Sequence, residues 1–330
     1  MKRAALAAGA AALLAALVVG GARFVAPGGP VVVDVPEGLT ARQTTDLLAR
    51  KGIVQSVFVF RVLLKVTGLD RELKPGTYTL REREWPTVIA RKLALGVTDA
   101  VKVTIPEGFM AAQIAERLEK AGIIPDAREF RAIVEKRKLE GRLFPSTYHM
   151  PRGYGAPKAI SAMTAEFDRQ IGAAYAAASP KPDLSLEEAL IVASIVEREA
   201  VLKTERPIIA AVYLNRLRIK MPLQADPTVQ YALNLGYWKK GLTHYDLKTP
   251  SAYNTYIRRG LPPGPICSPG VEAFKAVLSP AKTGALYFVA DMTGGHLFSE
   301  TNEEHSKARM MYKKQLRKEK ERLKREAAGR

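Results

Sequence analysis

With 330 residues, of which 47% are hydrophobic, the chain is long enough for two or three cores, and its composition excludes a disordered protein. Its single cysteine, Cys267, excludes a fold that depends on internal disulfides. The net charge of +18 is concentrated at one end, because residues 307–330 contain 11 Lys or Arg and three Asp or Glu, which is +8 of the total.

The first segment, residues 4–22, carries no charge and follows Lys2 and Arg3. It is close to the ~20 residues that cross a bilayer as a helix, and the basic pair places the N-terminus in the cytoplasm. Residues 1–25 are therefore predicted to be a retained single-pass anchor in the inner (plasma) membrane, with the rest of the chain outside the cytoplasm, in the periplasm. The alternative is a cleaved signal peptide, but no small-residue cleavage site in a polar context follows the apolar run. An anionic membrane surface or polymer suits such a basic chain better than nucleic acid.

An internal repeat follows, because residues 33–54 align without gaps on residues 103–124 with nine of 22 positions identical. Each copy predicts a strand, a Pro-Glu-Gly turn, an amphipathic helix, a second helix and a closing strand. This order is typical of LysM-like carbohydrate-binding modules, and we assign the two units to residues 30–98 and 99–155. The second helices are predicted at 57–66 and 128–138, and the closing strands at 76–80 and 143–150.

Both turns of the repeat contain an acid, Glu37 in the first copy and Glu107 in the second. Two carboxylates could form a catalytic pair. Because they stand 70 positions apart in duplicated units, they are more simply explained as equivalent turn residues. We therefore expect neither to take part in chemistry.

Residues 156–310 are predicted to form a mainly helical domain around one buried helix. Ser185 with Glu188 is a capping box, and the run that follows is apolar on every side until it stops at Glu197. Burial should raise the pKa of Glu197, and an acid that is still protonated near neutral pH can act as a general acid. The alternative is that Glu197 begins the solvated end of the helix and pairs with Arg198 or Lys203.

Loops rich in Pro, Gly, Asn, Thr and Tyr fill residues 221–270, where binding groups are often found. Aromatic rings beside amides and hydroxyls suit sugars, whose apolar faces stack while their polar groups take hydrogen bonds. The alternative is a structural loop that satisfies its own polar groups. The candidate substrate-binding residues of these loops are Gln224, Asp226, Thr228, Tyr253, Asn254, Thr255 and Tyr256. Asn215 is a further candidate near the end of the preceding helix, where a polar group faces either a cleft or solvent.

The last part of the chain predicts a hairpin at residues 286–301 and a basic tail at 311–330. His296 and His305 lack Cys or acidic partners at ligand spacing, so they predict no metal site. The tail is a charge run, which is usually a solvated helix.

Seven segments together resemble the MltG (YceG-like) family of membrane-anchored endolytic lytic transglycosylases: SIVEREA, YLNRL, LQADPTVQYAL, TPSAYNTY, GLPPGPICSPG, LYFVAD and GGHLFS. The resemblance runs from about Val31 to Tyr312 and implies an α+β protein with LysM-like units. It implies cleavage of the MurNAc-GlcNAc bond within peptidoglycan strands, which limits strand length. It assigns the acid–base role to Glu197 and implies no metal or organic cofactor. Glycan strands and peptidoglycan synthases are the partners it suggests.

The chemistry implied by this family needs one acid rather than two. Glu197 and Glu199 lie two residues apart, about 200° around a helix, so they cannot both face one sugar. In lytic transglycosylases the 6-hydroxyl of MurNAc attacks its own anomeric carbon, and one glutamic acid acts first as acid and then as base. Two alternatives stay open: a muramidase that hydrolyses the bond with Asp226 as second carboxylate, and a non-enzymatic protein that binds peptidoglycan.

Overall fold

The structure, a computed structural model, describes residues 28–328 except 83, 97–99, 181–182, 235–236 and 239–240. Helices and short two-stranded sheets are mixed within it, so the predicted α+β class is confirmed. The chain divides into two compact units. One contains the residues up to Lys102 together with His149–Tyr154, and the other contains Val103–Tyr148 and the chain from Gly155 onward. The finer domain boundaries stay predictions.

The first repeat has the predicted order of strand, helix, helix and strand. Its elements are β1 (Pro30–Val35), α1 (Ala41–Arg50), α2 (Val57–Thr67) and β2 (Gly76–Arg81), and α3 (Pro86–Leu95) follows. β1 and β2 pair antiparallel along their whole length. Thr40 begins α1 through a capping box with Gln43, which satisfies two backbone N–H groups at the start of the helix. The helices cover the sheet around the fully buried Tyr78.

The second repeat has the same order, with one difference at its end. Its elements are β3 (Ala100–Thr104), α4 (Ala111–Lys120), α5 (Ala127–Lys136) and β4 (Thr147–Pro151), and β3 pairs with β4. The closing strand begins four residues later than predicted. Its expected first residues, Leu143 and Phe144, are buried in the core instead of joining the sheet. An apolar run alone does not distinguish these two fates.

The helices that follow the second repeat surround one core. They are α6 (Ala156–Phe167), a π-helical turn (Asp168–Gly172), α7 (Ala173–Ala176), α8 (Leu186–Glu199), α9 (Arg206–Arg218), α10 (Asp226–Ala232) and α11 (Val271–Leu278). The amphipathic pattern of residues 157–178 predicts one helix, which the π-helical turn interrupts. The side chains of α8 lie at the centre of this core, which includes Phe167, Tyr213 and Phe274.

Two helix starts differ from the sequence prediction. The sequence Ser268-Pro269 predicts a helix start at Ser268, but α11 begins at Val271 with Gly270 as its N-cap. The backbone of Ser268 instead makes an isolated bridge with Phe109. Thr204, with Pro207 three residues later, predicts an N-cap for α9. It lies instead within a short 3-10 helix, Lys203–Glu205, and α9 begins at Arg206. The local pattern favours each residue as a cap, but Ser268 is engaged in a tertiary contact and Thr204 in a tighter turn.

The end of the chain is a hairpin and a long helix. The predicted hairpin is confirmed as β5 (Tyr287–Ala290) and β6 (His296–Ser299), and the described part of the basic tail, residues 311–328, belongs to α12 (Asn302–Ala328). The Asp291 carboxylate holds the turn between the strands by accepting from the N–H groups of Thr293 and Gly295.

The predicted membrane anchor, residues 4–22, lies outside the described residues. None of the helices in the part of the chain that the structure describes is both long and apolar enough to cross a bilayer.

Candidate active site

Helix α8 runs through the core and carries the candidate acid, Glu197, near its C-terminal end. Ser185 and Glu188 form the predicted capping box at its start. The eight residues 189–196 are all buried, as expected for a helix that is apolar on every side. The next residue, Glu197, is therefore fixed at the end of a buried helix, and only 6% of its side chain is exposed.

Glu197 is held by two donors from other elements. Its Oε1 atom accepts a hydrogen bond from Nη2 of Arg206 at 2.8 Å, and its Oε2 atom accepts one from the backbone N–H of Gly270 at 3.0 Å. Arg206 begins α9, and Gly270 is the N-cap of α11, where the positive end of the helix dipole favours an anion. The pairing with Arg198 or Lys203 considered from the sequence is replaced by this more distant partner.

The electrostatics of Glu197 suit a proton donor that must later carry a charge. Burial raises the pKa of Glu197, the Gly270 N–H and the Arg206 guanidinium oppose the rise, and the nearby charge of Glu107 adds to it. The direction agrees with the expectation from the sequence. The protonated form is thus favoured by burial, and the two donors are already in place for the carboxylate.

A second carboxylate reaches the same guanidinium. Oε2 of Glu107 lies 3.3 Å from Nη2 of Arg206, and the Glu107 side chain is 41% exposed. The carboxyl group also packs against the Cα of Gly270, where an added Cβ would overlap it. The sequence interpretation of Glu107 as a plain turn residue missed this placement.

An aromatic ring and a cation lie beside the acid. The guanidinium of Arg198 stacks over the ring of Trp238 at 4.2 Å from its centroid, a cation–π contact. The indole N–H of Trp238 donates to the carbonyl of Gly108, in the turn that carries Glu107. Trp238 therefore links the end of α8 to the second repeat.

Glu199 belongs to a different cluster from Glu197. Its Oε1 atom accepts a hydrogen bond from the hydroxyl of Tyr213 at 2.8 Å. Burial raises the pKa of Glu199 to about 7, the Tyr213 bond opposes the rise, and the charge of Asp226 adds to it. The two acids of α8 thus have separate partners, as their helical spacing predicts.

Glu140 is a third buried acid. It follows α5 in the chain, and its carboxylate lies against the N-terminus of α4. Its carboxylate accepts from the backbone N–H of Ala111 at 3.0 Å and from the hydroxyl of Tyr231 at 3.3 Å. Burial raises the pKa of Glu140 to about 7, against the lowering effect of these bonds. The ring of Tyr231 in turn packs on Tyr253, with ring centroids 4.8 Å apart.

The sequence model of the YceG-like family matches residues 33–310, which is most of the chain. The chain belongs to the YceG-like family.

Curated relatives and a solved structure extend along the same region. The endolytic murein transglycosylase of Bacillus subtilis is 33% identical over 86% of this chain and 84% of its own length. That of Streptococcus pneumoniae is 28% identical over 83% of this chain, which spans only 56% of the relative. The crystal structure of a yceG-like protein from Listeria monocytogenes matches 85% of this chain and 99% of its own, with a TM-score of 0.56 and 32% identity.

The structure of this YceG-like chain brings the candidate residues of 224–228 together with those of 253–256. The hydroxyl of Tyr256 donates to Oδ1 of Asp226 at 2.6 Å, and the hydroxyls of Thr228 and Thr255 lie 2.8 Å apart. Both threonines are buried, whereas Asp226 is exposed. Gln224 is exposed as well, and its N–H donates to the carbonyl of Thr255.

Two predicted binding amides are occupied by the protein itself. The amide nitrogen of Asn215 donates to the carbonyls of Thr283 and Ala285, and that of Asn254 donates to the carbonyls of Leu247 and Thr249. Both asparagines are buried. The amide of Asn254 therefore holds its own loop in shape, as the structural alternative supposed, and that of Asn215 holds residues 283–285 against α9.

The histidines are also engaged in the fold. Nδ1 of His296 lies 2.7 Å from a carboxylate oxygen of Glu205, and the ring of His305 stacks on Tyr287. Among the described residues, no group of three or more His, Cys, Asp or Glu is arranged to hold a metal ion.

Proposed function

We propose that this YceG-like chain is an endolytic lytic transglycosylase. It cleaves the MurNAc-GlcNAc bond within peptidoglycan strands and leaves 1,6-anhydroMurNAc ends. The relatives named endolytic murein transglycosylase support the reaction class. The observation that carries the proposal is the buried acid Glu197, whose carboxylate accepts hydrogen bonds from Arg206 and the Gly270 N–H.

One residue suffices for both proton transfers. Glu197 gives its proton to the glycosidic oxygen as the bond to the anomeric carbon of MurNAc breaks. The resulting carboxylate is stabilised by Arg206 and Gly270. It then takes the proton of the 6-hydroxyl as that oxygen bonds to the anomeric carbon, so Glu197 ends protonated and no water is consumed.

We assign the glycan to the loops around Asp226 and Tyr256. These residues offer an exposed carboxylate and a half-buried phenol ring, which suit the hydroxyls and the apolar face of a sugar. Gln224 and Tyr253 are exposed or half-buried beside them. The buried Asn215, Thr228, Asn254 and Thr255 contribute by holding these loops in shape.

Mass spectrometry of purified glycan strands after digestion tests the proposal. Transglycosylation should give new ends that are one water lighter than those from hydrolysis. Internal cuts should appear early as fragments of mixed length, because the proposed enzyme is endolytic. New ends that are all reducing would refute transglycosylation.

Hydrolysis by a muramidase is the second candidate. Its support is a second pair of carboxyl groups, Glu199 and Asp226. Burial raises the pKa of Glu199 to about 7, with the charge of Asp226 adding to the rise, and Asp226 is itself exposed. Such a pair has the acid and the base that an ordinary glycosidase needs. Loss of cleavage in Asp226→Asn, together with reducing ends, would favour this candidate.

We also propose that residues 4–22 anchor the protein in the inner membrane and that the described residues lie outside the cytoplasm. The uncharged run after Lys2 and Arg3 supports this arrangement. The βααβ units would bind glycan as LysM-like modules, and peptidoglycan synthases are the proposed protein partners. A full-length membrane protein whose C-terminus is cut by protease in spheroplasts is expected; a soluble form beginning near Arg23 would show a cleaved signal.

A further inference from the structure

Glu107 lies in the immediate surroundings of Glu197, whereas its counterpart in the first repeat, Glu37, is an exposed turn residue. The two acids stand at the same position of the same Pro-Glu-Gly turn. The Pro-Glu-Gly triplet is identical in the two copies, so the difference arises from what the second turn contacts.

Three hydrogen bonds fix the second turn beside the acid. The N–H of Gly108 donates to the carbonyl of Ser268 at 2.8 Å, and the N–H of Ser268 donates to the carbonyl of Phe109 at 2.9 Å. The indole N–H of Trp238 donates to the carbonyl of Gly108 at 3.2 Å. Because Ser268 is two residues before Gly270, this bridge brings Glu107 to the backbone N–H that binds Glu197.

Glu107 and Glu197 compete for one group of Arg206. Both carboxylates contact Nη2, at 3.3 Å and 2.8 Å respectively. An arginine that served Glu197 alone would favour its ionised form, since an opposite charge at this distance stabilises a carboxylate. Glu107 counters that effect twice, because it shares the guanidinium and adds a negative charge of its own.

The other charged groups around Glu197 are mostly positive, so the negative charge of Glu107 has no substitute among them. Arg206 and Arg198 are positive, the Gly270 N–H is a donor to the carboxylate, and the buried thiol of Cys267 is nearby. Glu107 is the carboxylate that opposes the two arginines among the groups that act on Glu197. Its removal would leave an excess of positive charge around the proton donor.

We propose that Glu107 is a positioning residue of the active site, which holds Arg206 between two carboxylates and so keeps Glu197 in its proton-donating form until the glycosidic oxygen takes the proton. The inference rests on the proposed role of Glu197. It gives the second repeat a part in catalysis that the first repeat does not have.

Glu107→Gln tests the proposal, with Glu37→Gln as the matched control in the other copy of the turn. In Glu107→Gln we expect the falling limb of the plot of kcat/KM against pH to move about one pH unit lower. A nearby charge usually changes the pKa of a carboxyl group by ~1–3 units, and the small end applies here because Glu107 is partly exposed. Above that limb the rate should be about tenfold below the wild type, and at low pH the two should agree. Glu37→Gln should match the wild type throughout.

Gly270→Ala provides an independent route to the same effect. The added methyl group would overlap the Glu107 carboxyl group, which can move away because its side chain is flexible and partly exposed. The backbone N–H that donates to Glu197 remains. We therefore expect the falling limb to move to lower pH in this variant as well, with Glu107 still present.

The outcomes separate this inference from the proposed function. A falling limb that stays in place in Glu107→Gln overturns the inference, and so does an equal loss of activity at every pH, which would indicate a structural role only. If the wild type makes no anhydro ends, or if Glu197→Gln cleaves normally, the proposed function itself fails. Melting temperatures of all variants show whether each one is folded.

Discussion

Replacement of Glu197 by Gln removes the proton but keeps the size of the side chain. The structure shows what else changes. Glu197 now accepts from two donors, Arg206 and the Gly270 N–H, with one oxygen each. Gln has one oxygen and an NH₂ group, so one of these donors must face another donor. This conflict should lower the free energy of unfolding by ~1–3 kcal/mol, the usual penalty for a buried group left without its partner.

The loss of catalysis should be much larger than this structural cost. General acid–base help is worth ~10²–10⁴-fold for one step, and Glu197 serves as acid and then as base. We therefore expect a loss of at least ~10⁴-fold in kcat, equivalent to ~5.5 kcal/mol at ~1.36 kcal/mol per tenfold change. A domain stable by ~5–15 kcal/mol remains folded after a loss of 1–3 kcal/mol.

The assay follows soluble fragments released from purified glycan strands, with thermal melting of each variant measured alongside. Glu199→Gln is the matched control on the same helix, because Gln can still accept the hydrogen bond from Tyr213. It should keep activity within a few-fold. The wild-type rate should fall as pH rises through the raised pKa of Glu197, since the acid must begin protonated. If Glu197→Gln keeps most activity while Glu199→Gln or Asp226→Asn loses it, the assignment is wrong.

The remaining predictions concern stability. The pKa of Glu140 is raised from 4.5 to about 7 in the fold, so the wild type should lose stability relative to Glu140→Gln as pH rises through that range. The difference should reach ~3 kcal/mol at ~1.36 kcal/mol per pKa unit, and urea titrations at several pH values measure it; a difference independent of pH would contradict the burial argument. Thr255→Val should lower the free energy of unfolding by ~1–3 kcal/mol, because the buried N–H of Ala225 loses its acceptor, while KM at temperatures well below melting should stay near the wild-type value. A raised KM with unchanged stability would instead make Thr255 a sugar-binding residue.

Local signals in the sequence predict much of the fold. The capping box at Ser185 and the apolar run after it fix α8 and the burial of Glu197 without reference to any other element. The duplicated pattern predicts both βααβ units, because strand alternation, helix periodicity and Gly stops all lie within each copy. These features depend on residues within one or two turns of each other, so one sequence is enough to find them.

The partners of the buried acids depend on contacts that no local pattern contains. Arg206 and Gly270 reach Glu197 from two other helices, and Glu107 reaches the same place from a turn 90 residues earlier in the chain. The role of Glu140 could have been suspected by comparing the cap positions of the two repeats. Where the first copy has Thr40 as a cap, the second has Met110, which cannot cap through a hydroxyl, and the carboxylate of Glu140 binds the N-terminus of α4 instead.

The loop residues show a different limit of the sequence. Asn, Thr and Tyr are suited to sugars and also to the hydrogen bonds that hold a loop together. Their order in the chain does not say which use applies. The structure divides them by burial: Asn254 and Thr255 are inside, and Asp226 is exposed next to Tyr256.

Cleavage in water enriched in heavy oxygen tests the central claim most directly, namely that Glu197 directs attack by the substrate's own hydroxyl rather than by water. Purified glycan strands are digested with the wild type and with Glu197→Gln, and the new ends are analysed by mass spectrometry. We expect the wild type to form new MurNAc ends that contain no heavy oxygen, and the variant to form almost none in the same time. Heavy oxygen in the new ends would show hydrolysis, and undiminished cleavage by the variant would show that another residue is the acid.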